Sequence, residues 1–242
     1  MREELAAKKA GEIRGMFGRI APRYDLLNRV LSLARDVSWR RLVSRRVAAA
    51  RPARVLDVCA GTGDLALALP DGLATGVDFC LPMLAVARRK AASRGRRLPL
   101  FAADALRLPI PNARVDVVTV AFGVRNFEDL EAGFAELVRV LRPGGTLLVL
   151  EFSRPRGTLA PLLEWWVRTI PPRIGRLLSG DPEAYSYLPA SVGTFPDTDA
   201  LCQTLTHAGL EEVKATALTG GVASLYEGVR SVDLKTRARE DG

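Results

Sequence analysis

Short apolar runs alternate with amphipathic stretches through the middle of the chain. Runs of four to eight mostly apolar residues predict strands, at 54–58, 74–77, 98–102, 115–121 and 146–152. Their length and apolar character are typical of strands buried on both faces. Between them, residues 81–92 and 130–141 place their apolar side chains on one stripe, which predicts helices. A Pro-Gly-Gly sequence at 143–145 is expected to end the second of these helices.

The two ends of the chain follow a different pattern. The pattern of residues 12–50 predicts helix, with interruptions at Pro22 and Ser38. Residues 1–50 are therefore expected to form an N-terminal helical cap. After residue 152 the alternation stops, and the proline-rich stretch 153–195 is expected to be an insertion over the active-site face. A helix is then predicted at 197–208, strands at 212–217 and 222–229, and a flexible tail at 230–242.

This order of elements predicts an α/β fold. Alternating strands and helices with a late pair of strands favour an open, mostly parallel sheet with helices on both faces. The 242 residues, 48% hydrophobic and 26% charged, suit a single domain over 1–242 with an adequate core. In such sheets, ligands bind beyond the carboxyl ends of the strands where the strand order reverses.

Composition indicates in which compartment the protein is expected to work and which partners its charge would suit. The N-terminus lacks a secretory signal, apolar runs stay well short of the roughly 18 residues of a membrane span, and three cysteines without a CxxC pair suit a reducing cytoplasm. No metal site is expected. A net charge of +8 would suit RNA, DNA or an anionic membrane surface, but the basic residues are spread along the chain. A solvated surface is therefore the simpler interpretation.

The strongest candidate site is the sequence Asp57-Val58-Cys59-Ala60-Gly61-Thr62-Gly63-Asp64. Its glycines allow a tight turn and close approach to a ligand, and residues 65–69 are expected to open a short helix whose amides face that ligand. The spacing also fits a dinucleotide loop, with Asp78 as the ribose acid. A pyrophosphate between Asp57 and Asp64 would be repelled. S-adenosylmethionine is favoured because its ammonium suits Asp57 and its carboxylate suits the backbone amides.

Two further aspartates follow predicted strands. Asp78 closes the second strand, where its carboxylate can accept both ribose hydroxyls, cap the helix that begins near residue 81, or do both. Asp104 follows the third strand, where it can accept the adenine amino group beside the small side chain of Ala105; the alternative is a turn aspartate.

Several stretches together resemble the ubiquinone/menaquinone biosynthesis C-methyltransferase family. The similarity runs from about residue 16 to 228 and rests on the glycine loop, Phe-Gly-Val-Arg-Asn at 122–126, and further motifs at 17–32, 139–145, 148–153, 183–188 and 218–222. It implies a class I S-adenosylmethionine-dependent methyltransferase, with a Rossmann-like, mostly parallel sheet of seven strands. The implied reaction is methylation of a ring carbon of a polyprenylated quinol, principally demethylmenaquinol, with the ubiquinone-pathway benzoquinol as the alternative.

The resemblance also implies which residues bind the cofactor. By matching position, Thr62, Asp78, Asp104 and Ala105 contact S-adenosylmethionine, with Gly61 and Gly63 shaping the loop. Ala121, at a cofactor-contacting position, stands where relatives can carry serine. Any hydrogen bond that the serine hydroxyl makes there is therefore absent in this chain. The segment between Asp64 and Asp78 is shorter than is usual in the family, which should trim the first helix.

Ring methylation needs a carbon nucleophile, which a quinol becomes when a hydroxyl ionises. A phenol with a pKa near 10 is ionised in about one molecule per thousand at pH 7, a deficit of about 4 kcal/mol. Arg125 is the candidate to stabilise the oxyanion and Asn126 to orient it. Asp64 is the candidate base; the alternative is a carboxylate that only stabilises the start of a helix. Tyr24 is the candidate for positioning the ring; the alternative is an aromatic side chain that only packs in the core. The single histidine, His207, stands at a predicted helix end.

The isoprenoid tail of such a substrate would require contact with a membrane surface. Trp165-Trp166 with Arg168, Arg173 and Arg176 form a candidate interfacial patch, or else a core helix with snorkelling arginines. An RNA methyltransferase is the first rival function, but the chain lacks both the Pro-Pro-aromatic motif of amino-group methylation and a Pro-Cys nucleophile. A non-catalytic cofactor-binding protein is the second rival. The sequence leaves self-association open, with a homodimer as one alternative.

Overall fold

The computed structural model describes residues 2–155, 169 and 191–232. Most of the expected insertion lies outside the described residues. That part includes the tryptophan and arginine patch at 165–176 and the motif at 183–188. Residues 233–242 of the expected tail also lie outside them.

In the described part of the chain, seven strands form one sheet: β1 (Val55–Val58), β2 (Ala74–Asp78), β3 (Leu100–Ala102), β4 (Val115–Ala121), β5 (Leu141–Phe152), β6 (Leu210–Leu218) and β7 (Ala223–Arg230). Their order across the sheet is β3-β2-β1-β4-β5-β7-β6. Strands β1 to β5 pair in parallel, and β7 lies antiparallel between β5 and β6. The predicted open, mostly parallel sheet with a late strand pair is confirmed.

The helices that lie within 2–155 and 191–232 are α1 (Arg2–Ile20), α2 (Tyr24–Leu31), α3 (Arg35–Ala50), α4 (Leu81–Ser93), α5 (Leu130–Val140) and α6 (Thr198–His207). On one face of the sheet, α5 and α6 bury Phe134, Leu137, Leu201 and Leu205; on the other, α3 buries Trp39, Val43 and Val47. Within the described ranges, no helix has the length and apolar character of a bilayer span.

One predicted break in the N-terminal cap is confirmed and the other is wrong. A 3-10 turn, Ala21–Arg23, interrupts the helix at Pro22. The second break falls at residues 32–34, where Leu33 and Ala34 have φ angles of 51° and 59°, and Ser38 lies inside α3. The Ser38 hydroxyl donates to the Arg35 carbonyl at 2.7 Å. A serine that bonds back to the preceding turn is compatible with a continuous helix.

Three other predicted boundaries also need correction. After the glycine loop, the expected helix over 65–69 is only the 3-10 turn Ala66–Ala68. Helix α5 ends at Val140, before Pro143, and the Pro-Gly-Gly sequence lies in the irregular first half of β5. Strand β7 takes in Arg230, the first residue of the expected tail, because its backbone pairs with Leu210 of β6. The Arg230 guanidinium also donates to the Arg139 carbonyl at 3.2 Å.

Candidate functional site

A large cleft opens where the strand order reverses, between β1 and β4. It holds about 830 Å³, including its open mouth. Residues that follow four neighbouring strands line one side: Cys59, Gly61, Asp78, Phe79, Cys80, Asp104, Ala105, Leu106, Ala121, Phe122 and Gly123. The N-terminal cap closes the other side with Ile13, Arg14, Phe17 and Tyr24. This is the place where open α/β sheets bind their ligands.

A small cavity of about 310 Å³ adjoins the large cleft. Tyr24, Cys59, Gly61 and Ala121 line both spaces. Residues of the glycine loop and of α3 complete the small cavity: Arg40, Asp57, Ala60, Thr62, Asp64 and Leu65. The two spaces together offer one long site with a charged end.

The glycine loop takes the backbone conformation that its sequence predicts. Gly61 and Gly63 have φ angles of 54° and 78°. A Cβ on Gly63 would also lie 3.1 Å from the Ala87 Cβ of α4, so the loop packs closely on that helix. Two loop amides already have partners, since Gly61 N donates to Asp78 Oδ2 and Gly63 N to the Ala60 carbonyl, each at 2.8 Å.

Asp57 is a buried carboxylate with one oxygen satisfied. It is 1% exposed, and its Oδ1 accepts a hydrogen bond from the Thr119 hydroxyl at 2.7 Å. Its Oδ2 is buried and has no hydrogen bond of ordinary geometry among the described residues, although the Ala66 amide is near enough to favour the charged form. Burial raises the pKa of Asp57 to about 7. A cation at Oδ2 would restore the ionised form, so this carboxylate fits the ammonium group of S-adenosylmethionine.

Asp78 and Asp104 both line the large cleft. Asp78 Oδ1 accepts from Cys80 N at 2.8 Å, and burial raises the pKa of Asp78. The residue that caps α4 is Cys80, so the helix-cap alternative for Asp78 is wrong. Asp104 Oδ1 accepts from Leu106 N at 2.9 Å, which makes it a turn aspartate that also lies beside Ala105 in the cleft.

Thr62 and Asp64 are tied to the N-terminal cap by a cluster of charges. The Lys90 ammonium forms salt bridges with Asp64 and with Asp25, the latter at 2.6 Å, and Arg29 lies 3.3 Å from Asp64. The Thr62 hydroxyl donates to Asp25 at 2.5 Å. Burial opposes the effect, but the Lys90 ammonium lowers the pKa of Asp64 below its usual range. Within the described residues, Asp64 lines the small cavity rather than the large cleft.

Arg125 lies behind the wall of the cleft, and Asn126 and Tyr24 line it. The Arg125 Nη1 donates to the Phe122 carbonyl and to Glu151 Oε1, both at 2.7 Å. The Glu151 side chain is fully buried and that of Arg125 is 5% exposed. Burial raises the pKa of Tyr24, and the nearby Arg125 charge opposes that rise.

Sequence reasoning missed several residues that build the site. Asp25, Arg29 and Lys90 hold the glycine loop against the cap, and Glu151 anchors Arg125. Asp25 and Glu151 stand inside motifs that carried the family resemblance, at 17–32 and 148–153. Lys90 belongs to a basic run on α4 and carried no sequence signal of its own.

Gly123 keeps the loops after β1 and β4 in close contact. A Cβ on Gly123 would lie 2.4 Å from the Cys59 Cβ. We therefore expect Gly123→Ala to lower the free energy of unfolding by about 1–3 kcal/mol, measured by urea denaturation. Adding Cys59→Gly should restore most of it, because that change removes the clashing atoms at a residue whose φ is 55°. Equal losses in the single and double variants would contradict this contact.

Comparison with known proteins assigns the chain to a family. The model of the ubiE/COQ5 methyltransferase family matches residues 4–230. The chain belongs to this family. A demethylmenaquinone methyltransferase of Thermus thermophilus is 47% identical, over 89% of this chain and 100% of that protein. A protein of Bordetella parapertussis named ubiquinone/menaquinone biosynthesis C-methyltransferase UbiE is 40% identical, over 93% of this chain and 89% of that protein.

Solved structures agree on the fold of this ubiE/COQ5 family member. A Thermotoga maritima S-adenosylmethionine-dependent methyltransferase superposes with a TM-score of 0.64 at 18% identity, covering 90% of this chain and 99% of that one. Haemonchus contortus phosphoethanolamine N-methyltransferase 2, in complex with S-adenosylmethionine, gives 0.54 at 15% identity, covering 74% and 49%. The predicted class I methyltransferase fold is confirmed, and the family and fold together imply S-adenosylmethionine as the methyl donor.

Proposed function

We propose that the protein transfers a methyl group from S-adenosylmethionine to a ring carbon of a polyprenylated quinol, converting demethylmenaquinol to menaquinol. The observation that carries this proposal is the 47% identity to the Thermus thermophilus demethylmenaquinone methyltransferase over that protein's whole length. Methylation of the benzoquinol of ubiquinone biosynthesis is the second candidate, favoured by the name of the Bordetella parapertussis relative.

The residues at the carboxyl ends of the strands suit the methyl donor. S-adenosylmethionine supplies an electrophilic methyl group on a sulfonium when bound. Asp57 would hold its ammonium, Asp78 its ribose hydroxyls, and Asp104 with Ala105 its adenine. Gly61, Thr62 and Gly63 would form the loop beneath it. The unpartnered Oδ2 of Asp57 and the cleft positions of Asp78 and Asp104 support this arrangement.

Tyr24, Asn126 and Arg125 would act on the quinol oxygen. Because the pKa of Tyr24 is raised, its hydroxyl keeps its proton at neutral pH and can donate to a quinolate oxygen. Asn126 shares the same cleft. Arg125, fixed by Glu151, places a positive charge close behind Tyr24 and favours the ionised quinol, whose ring carbon is the nucleophile.

Asp64 is poorly suited to the role of base that its sequence position suggested. Burial opposes the effect, but three cationic neighbours, Lys90, Arg40 and Arg29, lower the pKa of Asp64 and favour the carboxylate as a structural anion. We assign Asp64 to holding the loop against the cap. The quinol proton would then leave to water at the mouth of the cleft, with Arg125 making the ionised form accessible.

The isoprenoid tail of the substrate determines where in the cell the enzyme must meet it. A polyprenylated quinol resides in a membrane, so we propose a cytoplasmic enzyme that contacts the inner face of the cell membrane transiently. The aromatic and basic patch at 165–176 and a homodimer stay predictions from the sequence. Flotation with anionic liposomes tests the patch, and loss of binding on charge reversal at Arg173 and Arg176 would support it.

An acceptor panel tests the proposed function. Purified protein is given S-adenosylmethionine labelled in the methyl group, with short-tailed demethylmenaquinol, the matching benzoquinol or total RNA as acceptor, the quinols kept reduced. We expect label on the naphthoquinol in excess of the benzoquinol. Label on the benzoquinol alone would move the enzyme to the ubiquinone pathway. Label on RNA alone would contradict a quinol acceptor.

Donor binding should depend on pH because Asp57 must ionise to hold the ammonium. With its pKa at about 7 in the free protein, roughly a tenth of Asp57 is ionised at pH 6 and most of it at pH 8. The association constant for S-adenosylmethionine should therefore rise about tenfold between these values, as measured by calorimetry. The increase should vanish in Asp57→Asn, and an identical increase in that variant would assign the titration to another group.

A further inference from the structure

A buried arginine from the N-terminal cap lies at the charged end of the site. Arg40, on α3, is 7% exposed and lines the small cavity together with Asp57 and Gly61. Its charge partly opposes the rise in pKa that burial causes at Asp57, and it adds to the effect of Lys90 in lowering the pKa of Asp64. An arginine held at such a depth beside a ligand cavity needs a structural or a binding role.

Arg40 is held rigidly by its neighbours. Its Nη1 donates to Asp36, which is 1% exposed and accepts a second hydrogen bond from the Ser32 hydroxyl at 2.9 Å. The guanidinium also lies over the Phe122 ring, 5.3 Å from its centroid. These contacts use one edge and one face of the guanidinium, whose five N–H groups form a fixed fork. Among the described residues, no other hydrogen bond engages this guanidinium, and Arg40 lines the small cavity.

The methionine end of the donor carries two opposite charges that are one carbon apart. If Asp57 binds the ammonium, the carboxylate must lie beside it in the same small cavity. Two of the loop amides are already used, because Gly61 N donates to Asp78 and Gly63 N to the Ala60 carbonyl. Asp64, which also lines the cavity, is neutralised by Lys90 and Arg29. Arg40 is thus the cation in this cavity whose geometry suits a carboxylate.

We propose that Arg40 binds the carboxylate of the methionine moiety of S-adenosylmethionine, opposite Asp57, so that the two buried side chains recognise the amino-acid group as a zwitterion. This inference rests on the proposed function, because it assumes S-adenosylmethionine as the donor. It gives the N-terminal cap a direct part in donor binding. It also assigns to a side chain the role that the sequence had given to the loop amides.

Decarboxylated S-adenosylmethionine tests the contact between Arg40 and the methionine carboxylate, because this compound lacks only the carboxylate. The wild-type protein should bind S-adenosylmethionine about 10- to 100-fold more tightly than the decarboxylated compound, the range expected for a charge-assisted hydrogen bond. In Arg40→Met this ratio should fall to about one, with affinity for the decarboxylated compound little changed. Arg40→Lys should restore part of the ratio. The control Arg45→Met, an exposed arginine on the same helix, should behave like the wild type.

Two further variants keep the test decisive. Arg40→Met leaves Asp36 buried without its cation, so the double variant Asp36→Asn/Arg40→Met provides a protein that retains its fold. Asp57→Asn should weaken the binding of both compounds and leave the ratio of their affinities nearly unchanged. An unchanged ratio in the folded Arg40 variants would overturn the assignment of Arg40 alone. Failure of the wild-type protein to bind either compound would instead overturn the proposed donor.

Discussion

Asp57→Asn is expected to weaken binding of S-adenosylmethionine roughly 100-fold, the loss expected when a buried charge pair loses one member. Asparagine can still accept the hydrogen bond from Thr119, so the fold around β1 should be kept. Only the negative charge that faces the ammonium is removed. Isothermal titration calorimetry at pH 8, where Asp57 is ionised in the wild type, measures the effect directly.

The same substitution should make the ligand-free protein more stable. Asp57 has a pKa of about 7 in the folded protein against 3.8 for an ordinary aspartate, so keeping it ionised costs about 4 kcal/mol. For an acid with a raised pKa this cost is absent at low pH, grows as the pH rises from about 4 to 7, and then stays constant. Asp57→Asn should therefore exceed the wild type in unfolding free energy, by a margin that widens between pH 5 and pH 7.

A matched control separates these effects from a general loss of charge. Asp71 is exposed and pairs with Arg96 on the surface, so Asp71→Asn should change neither donor affinity nor the pH dependence of stability by much. Normal donor affinity in Asp57→Asn would contradict the assigned role of Asp57. A variant that is weaker in binding and also less stable at pH 8 would show that Asp57 supports the fold rather than the ligand.

Removing Arg125 should lower turnover by about 100- to 1,000-fold while leaving donor affinity within a few-fold of the wild type. This is the range seen when a group that stabilises a developing oxyanion is lost. Arg125→Met alone would leave the fully buried Glu151 without its cation and would destabilise the protein. The informative variant is Arg125→Met/Glu151→Gln, which removes both charges together. Turnover at saturating quinol and the dissociation constant of the donor are measured side by side.

The chain offers a control pair elsewhere in the fold. Arg139 and Glu136 form a salt bridge on α5, and Arg139→Met/Glu136→Gln should cost stability without changing turnover per folded molecule. Since Arg125 favours the ionised quinol, raising the pH should recover part of the activity of the Arg125 variant. Equal turnover in the Arg125 variant and the wild type would remove Arg125 from the reaction.

Much of the fold could be predicted because each parallel strand is visible in the sequence as a short, continuous apolar run. Runs such as Val115–Ala121 are apolar on both faces, and apart from the early start of β5 the strand boundaries lie within a few residues of the prediction. The breaks were harder to place. The turn at residues 32–34 depends on two residues with positive φ and on the Ser32 and Asp36 contact, neither of which leaves a composition signal. The start of β5 depends on its pairing with β4.

The candidate site was predictable where a residue follows a strand, and less so where its role depends on partners. Asp57, Asp78 and Asp104 lie at the carboxyl ends of β1, β2 and β3, as their positions in the sequence indicated. Asp64 follows the same glycine loop, but Lys90 and Arg29 come from α4 and α2 to neutralise it. Arg125 was predicted to face the substrate and lies behind the cleft wall, because Glu151 on β5 holds it there. Such pairings arise only from tertiary packing.

The position of the transferred methyl group in the product shows whether the protein methylates a ring carbon of the quinol. S-adenosylmethionine carrying a trideuterated methyl group is incubated with the protein and reduced short-tailed demethylmenaquinol, and the product is characterised by NMR and mass spectrometry. We expect the deuterated methyl group on the ring carbon that lacks a substituent. A deuterated methyl ether on a quinol oxygen, or no transfer to the quinol under conditions in which the donor binds, would contradict it.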